Sequence, residues 1–220
     1  MATVTQTSSM TWETAEDLLE ALGGIALSRV RMRPLPGTAT EADLIAVNGR
    51  KQGIFELVDG VLVEKGMGFR ESILAATLIE LLRAFVKASN LGLVTAPDGM
   101  MRLIPGLVRE PDVAFISWDR IPGRRVPAGP IGDFAPNLAI EILSISNTKA
   151  EMARKRREYF AAGVRLVWEV DPRARTVAVY HSAEEATFLD AAATLDGGEV
   201  LPGFEIPLAD LFDELDRQGN

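Results

Sequence analysis

The chain predicts an α+β or α/β domain, a mixed β-sheet with helices packed on its faces. Three observations carry this. Residues 69–90 bring Leu74, Leu78, Leu81, Leu82 and Phe85 round at helical spacing, which makes a helix with one apolar face. Residues 111–117 and 138–143 are almost unbroken apolar runs, the pattern of strands buried on both faces. Residues 148–163 then read as a capped helix that leads into a β-rich run at 164–170.

Composition narrows the function classes. The 220 residues suit one elaborated domain, and 47% hydrophobic with 25% charged is ordinary for a globular chain. No apolar run approaches the roughly 18 residues that span a bilayer, and no basic-then-apolar leader opens the sequence. With no cysteine, disulfides and thiolate metal sites are excluded and a cytoplasmic location is expected. His181 is the single histidine, so any metal site must be built from oxygen donors, which favours Mg²⁺, Mn²⁺ or Ca²⁺. The net charge of −8 argues against a general polyanion binder, although a local basic patch can still bind nucleic acid.

Taken in order, residues 1–10 are Thr/Ser-rich and read as a disordered tail. Residues 12–22 form a short helix stopped by Gly23 and Gly24, and residues 30–53, with their prolines and glycines, read as an irregular arm. Asp59-Gly60 between two apolar runs at 55–63 signals a β-hairpin, in which Glu56 and Glu64 read as solvent-facing. Glu71 sits in the first turn of the long helix, where the dipole accounts for it. Short strands follow at 91–96 and 100–104 around the turn Pro97-Asp98-Gly99. Residues 119–136 make a long Pro/Gly loop. Thr148 and Glu151 can form a capping box, Gly163 ends that helix, and 175–181 pairs with 164–170 as a hairpin. A short helix near 208–215 closes the domain.

Two carboxylates interrupt the buried strands: Asp112 at the start of one, Glu141 in the middle of the other. Burying an unpaired charge costs several kcal/mol, so each needs a partner. On neighbouring strands about 4.8 Å apart the two can share a divalent ion. Alternatively Asp112 caps a turn and Glu141 pairs with an arginine such as Arg109 or Arg102. In the following helix Lys155 borders the inward stripe of Met152, Tyr159 and Phe160. Arg156 borders its other side equally well, so periodicity cannot choose, while Arg154 and Arg157 point more outward.

The motifs F-E-L-V-D-G, R-x-P-D-V-A-F, P-x-L-A-I-E-I-L-S-x-S and K-x-x-E-Y-x-x-A-G-V-x-x-V-W-x-V-D-P together resemble the Uma2 (DUF820) family, across about residues 53–215. Its members are endonucleases of the PD-(D/E)XK, restriction-endonuclease-like superfamily. The resemblance implies an αβββαβ core and DNA phosphodiester hydrolysis dependent on Mg²⁺ (or Mn²⁺). It implies that Asp112 and Glu141 hold the metal. The lysine usually found two residues after the glutamate is replaced by Leu143, and the resemblance moves it to Lys155 on the helix. Ser146 departs slightly from the family's S-P-S, and Glu71 stands where members commonly carry a histidine. Glu56, Glu71 and Tyr159 are further site candidates. Arg124, Arg125 and Arg156 are candidate DNA contacts, with DNA as partner, no membrane and a homodimer admitted. The division that follows is a tail at 1–10, a helix and arm at 11–52, and a nuclease-like domain at 53–215 with an added hairpin. The rivals are a catalytically inactive nucleic-acid- or protein-binding module on the same fold, and another hydrolase such as a glycosidase using Asp112 and Glu141.

Overall fold

The computed structural model describes residues 12–51, 53–66 and 68–219, so the tail assigned to 1–10 lies outside the described residues. Helix α1 (Ala15–Ala21) and strand β1 (Val30–Arg31) open the chain, and α2 (Glu41–Gly49) follows. The arm read as irregular therefore contains a helix. Thr40 and Asp43 form a full capping box at its start, and Leu44 and Val47 are its buried residues.

Strands β2 (Ile54–Val58) and β3 (Val61–Lys65) form the expected hairpin. Its turn has Asp59 at φ 50° and Gly60 at φ 72°. Two positive φ values fit the twist of a two-residue hairpin, and a Cβ on Gly60 would strike the backbone of Gly37. With β5 (Met101–Ile104) and β6 (Leu107–Arg109) these strands build a five-stranded antiparallel sheet in the order β1-β3-β2-β6-β5.

The second sheet carries the core. Helix α3 (Phe69–Ala88) leads to β4 (Gly92–Thr95); β7 (Val113–Ser117), β8 (Leu138–Ile142), α4 (Lys149–Ala161) and β9 (Leu166–Asp171) follow. The implied αβββαβ core is present as α3-β4-β7-β8-α4-β9. Strands β10 (Thr176–Tyr180) and β11 (Ala186–Leu189) extend the sheet, whose order is β11-β10-β9-β8-β7-β4. Only β8 and β9 run parallel, because α4 crosses between them. A small pair, β12 (Thr194–Asp196) and β13 (Glu205–Pro207), and α5 (Leu208–Asp213) complete the fold.

The two faces of this sheet are chemically different. Val113, Phe115, Leu138, Ile140, Ile142, Leu166, Trp168 and Val170 share one cluster with Leu74, Leu78 and Leu82 of α3 and Leu208, Leu211 and Phe212 of α5. Each such aliphatic side chain contributes about 1.5–3 kcal/mol on burial. The alternate residues Ala139, Val167, Ala178 and Tyr180 face the other way, toward Tyr159 and Val164 at the α4 side. No helix among the described residues is long and apolar enough to cross a membrane.

Candidate active site

Strand register decides what reaches the α4 face. Val113 pairs with Ile140 and Phe115 with Leu138 on the apolar side. Asp112 and Glu141, the next residues outward, therefore fall side by side on the opposite side, each only 3% exposed. The Ile142 amide donates to Asp112 Oδ2 at 2.6 Å, which fixes the aspartate against β8.

Helix α4 covers this face because Thr148 and Glu151 cap it and Arg29 holds Glu151 in a two-pronged pair at 2.7 and 3.0 Å. The buried residues of the helix are Glu151, Met152, Lys155 and Tyr159. Of the two cations that periodicity left equal, Lys155 is the one that enters. Its Nζ lies 3.1 and 3.2 Å from the Glu141 oxygens and 3.2 Å from Glu56 Oε1. Tyr159 donates its hydroxyl to Glu141 Oε1 at 2.6 Å. Arg156 instead binds Glu169 at 2.6 Å and stacks over the Tyr180 ring at 4.3 Å. Arg154, read as outward, is half-buried and donates to Glu158 at 2.7 Å, whereas Arg157 is exposed as expected.

The hairpin sheet supplies the rest. Glu56, read as solvent-facing, is 1% exposed, because Lys155 of α4 and Arg109 of β6 close over its carboxylate. It accepts from Arg109 Nη1 at 2.7 Å and from the Glu110 amide at 3.1 Å. Arg109 also donates to Glu158 at 2.8 Å, and Arg102 is taken by Glu41 and Asp133, so neither arginine pairs with Glu141. Lys65, which sequence reasoning missed, places its Nζ 2.8 Å from Asp112 Oδ1 and 3.8 Å from Glu141 Oε2, and donates to the Glu110 carbonyl. The signal for it was available: Val61, Val63 and Lys65 share one side of β3, and the two valines are core.

Other candidates stay apart. Glu71 folds over Gly68 at the start of α3 and, among the described residues, makes no hydrogen bond or ion pair with this cluster. Arg124 pairs with Asp119, and Arg125 is exposed nearby. Both follow Ser117, which ends β7 about 17 Å from Asp112 at 3.3 Å per residue, and among the described residues neither makes a hydrogen bond or ion pair with the cluster. A cavity of about 740 Å³ beside the Asp59-Gly60 turn touches the cluster only at Glu158.

Burial and pairing set the charges. For Glu56, desolvation is outweighed by Lys155, Arg109 and Lys65, and its carboxyl is held well below the usual range. Desolvation of Lys155 is likewise outweighed by Glu141 and Glu56, so it stays protonated. Burial pushes the Glu141 carboxyl up against the pull of both lysines. Glu110 is pushed up to about 8 by burial and then by the charge of Glu56. Its Oε1 accepts from Asn48 at 2.8 Å while its Oε2 accepts nothing.

The donors suit a hard divalent cation. Asp112 Oδ1 is a buried carboxylate oxygen that accepts no hydrogen bond of good geometry, and it lies beside the Glu141 carboxylate. Among the described residues no three acidic or histidine side chains are arranged around one point. The ammonium groups of Lys65 and Lys155 stand between the carboxylates instead.

The Uma2 family model, described as "Putative restriction endonuclease", matches residues 20–209. A solved structure from Anabaena variabilis, described as "a putative nuclease belonging to DUF820", superposes with a TM-score of 0.66 at 22% identity, covering 74% of this chain and 92% of that one. No curated protein matches. The solved structure shares the fold, and the family match runs from α1 through the carboxylate cluster to α5: the chain belongs to the Uma2 family.

Proposed function

We propose that the protein is a Mg²⁺- or Mn²⁺-dependent endonuclease that hydrolyses DNA phosphodiester bonds at Asp112 and Glu141. The observation that supports this most is the pairing of these two carboxylates on one sheet face of an αβββαβ core, under a buried lysine from α4. Asp112 and Glu141 would hold the cation, which when bound polarises the phosphate and lowers the pKa of water. Lys155 is fixed by Glu56 and Glu141, whose carboxylates favour its charged form, so it supplies positive charge to the reacting phosphate. Tyr159 positions Glu141, and the Ile142 amide positions Asp112.

Supercoiled plasmid incubated with Mg²⁺ or Mn²⁺ is expected to be nicked by the wild type and left intact by Glu141→Gln. Intact plasmid with both proteins would overturn the reading. A specific observation favours a second one: every carboxylate on this face already has a protein cation as partner, as a binding module without chemistry would have. DNA binding that needs no divalent cation and no cleavage under any metal would favour that module.

A further inference from the structure

Lys65 has no role in the reaction as read so far, yet it occupies its centre. Five carboxylates, Glu56, Asp59, Asp112, Glu141 and Glu158, face four cations, Lys65, Arg109, Arg154 and Lys155. With all of them ionised the cluster carries a net charge of −1 as it stands, and a divalent cation would bring it to +1 in a desolvated site. Neutrality then requires that one of the four resident cations leave, or that an anion enter.

The four differ in how easily they can leave. Arg109 is tied to Glu56 and Glu158, and Arg154 to Glu158 and Asp59. Lys155 makes three carboxylate contacts from the middle of a helix. Lys65 ends β3, and the exposed residues Gly66, Gly68 and Phe69 follow it. Its ion pair with Asp112 Oδ1 is short, but that oxygen forms no well-directed hydrogen bond. Gly66 abuts Ser146, since a Cβ there would lie 2.7 Å from the serine Oγ, so Lys65 and the turn after β8 close the site on its exposed side.

We propose that the Lys65 ammonium is an internal stand-in for the divalent cation: it competes for Asp112 and Glu141 in the free protein and is displaced when the cation binds. The inference rests on the metal-dependent reading above. It makes the wild type a weak metal binder on its own. It also frees a positive charge at the mouth of the site for the phosphate of the substrate.

The test is calorimetric titration with Mn²⁺ alone on the wild type, Lys65→Met and Asp112→Asn. Removing a positive charge from within 3 Å of a ligand oxygen is expected to tighten Mn²⁺ binding at least about tenfold in Lys65→Met, while Asp112→Asn abolishes it. Should Lys65→Met be too unstable to titrate, Lys65→Gln is to show a larger Mn²⁺-induced rise in melting temperature than the wild type. Wild-type binding that is lost in Asp112→Asn but equal or weaker in the Lys65 variants overturns the competition and leaves the metal site standing. Binding unaffected by Asp112→Asn, or absent from every variant, overturns both.

Discussion

The Tyr159 hydroxyl and the Glu141 carboxylate, 18 residues apart in sequence, meet at 2.6 Å inside a face from which water is excluded. A hydrogen bond to a charged group in such a place contributes about 1.5–3 kcal/mol. Tyr159→Phe is therefore expected to lower unfolding stability by about that amount, with the urea m-value unchanged. The ring remains to fill the core, so the loss isolates the hydroxyl. A change below about 0.5 kcal/mol would mean that Lys155 alone holds Glu141.

Lys155 and Arg156 are neighbours in sequence with different duties. Lys155→Met removes the one cation in contact with both Glu56 and Glu141, and stranding buried carboxylates costs about 3–5 kcal/mol. A second change, Glu56→Gln, is expected to restore part of that stability but not cleavage. Arg156→Ala loses the Glu169 pair and the Tyr180 stack, so it is expected to soften the fold by about 1–2 kcal/mol and to leave cleavage unchanged. Equal effects on cleavage would remove Lys155 from the site.

Glu110 gives the protein a pH dependence of a particular sign. Its folded carboxyl titrates at about 8 against 4.5 for the unfolded chain, so the folded state binds the proton more tightly. That contribution is intact below pH 4.5 and is lost as pH rises toward 8. Glu110→Gln keeps an oxygen for Asn48 and cannot ionise. Relative to wild type it is expected to gain stability steadily from pH 5 to 8, by a few kcal/mol at most at about 1.4 kcal/mol per pH unit. Glu158 runs the other way: burial opposes it, but Arg109 and Arg154 hold it down, so its share of stability fades as pH falls below the ordinary carboxylate range. A difference between wild type and Glu110→Gln that does not vary with pH would mean that Glu110 is ionised throughout.

The core was legible because its signals are local. The α3 stripe, the Thr148 cap and the Asp59-Gly60 turn each follow from a few adjacent residues, and each is where expected, except that Leu81, read into the stripe, is exposed at its edge. Asp112 and Glu141 stood out because a charge in an apolar run needs an explanation. What escaped was set by partners distant in sequence. Glu56 looked solvent-facing because nothing near it announces that Arg109 of β6 and Lys155 of α4 meet its carboxylate. Lys65 and Asp112 are joined only by the meeting of two sheets. Helix α2 is a different kind of miss: T-E-A-D before Leu44 is a capping box with aspartate at its third helical position, and the surrounding prolines and glycines outweighed it.

The same geometry changes which charges should carry DNA. Residues Arg124 and Arg125 sit beyond the far end of β7, and Arg124 is already paired with Asp119. Arg70 and Lys149 are exposed in the first turns of α3 and α4, the two helices that begin beside the Lys65–Ser146 rim of the site. If DNA approaches by that rim, affinity measured against salt with Ca²⁺ in place of Mg²⁺ should fall with a slope of about −0.9 for each phosphate neutralised. Arg70→Gln and Lys149→Gln should each flatten the slope by about 1 and weaken binding to all sequences alike, because a phosphate contact carries no base information. Arg124→Glu with Arg125→Glu should leave the slope nearly unchanged, since both follow the end of β7 away from Asp112 and Arg124 is paired with Asp119. The reverse pattern, with a slope set by Arg124 and Arg125, would place the DNA against the opposite end of the sheet, where it could not reach Asp112 and Glu141.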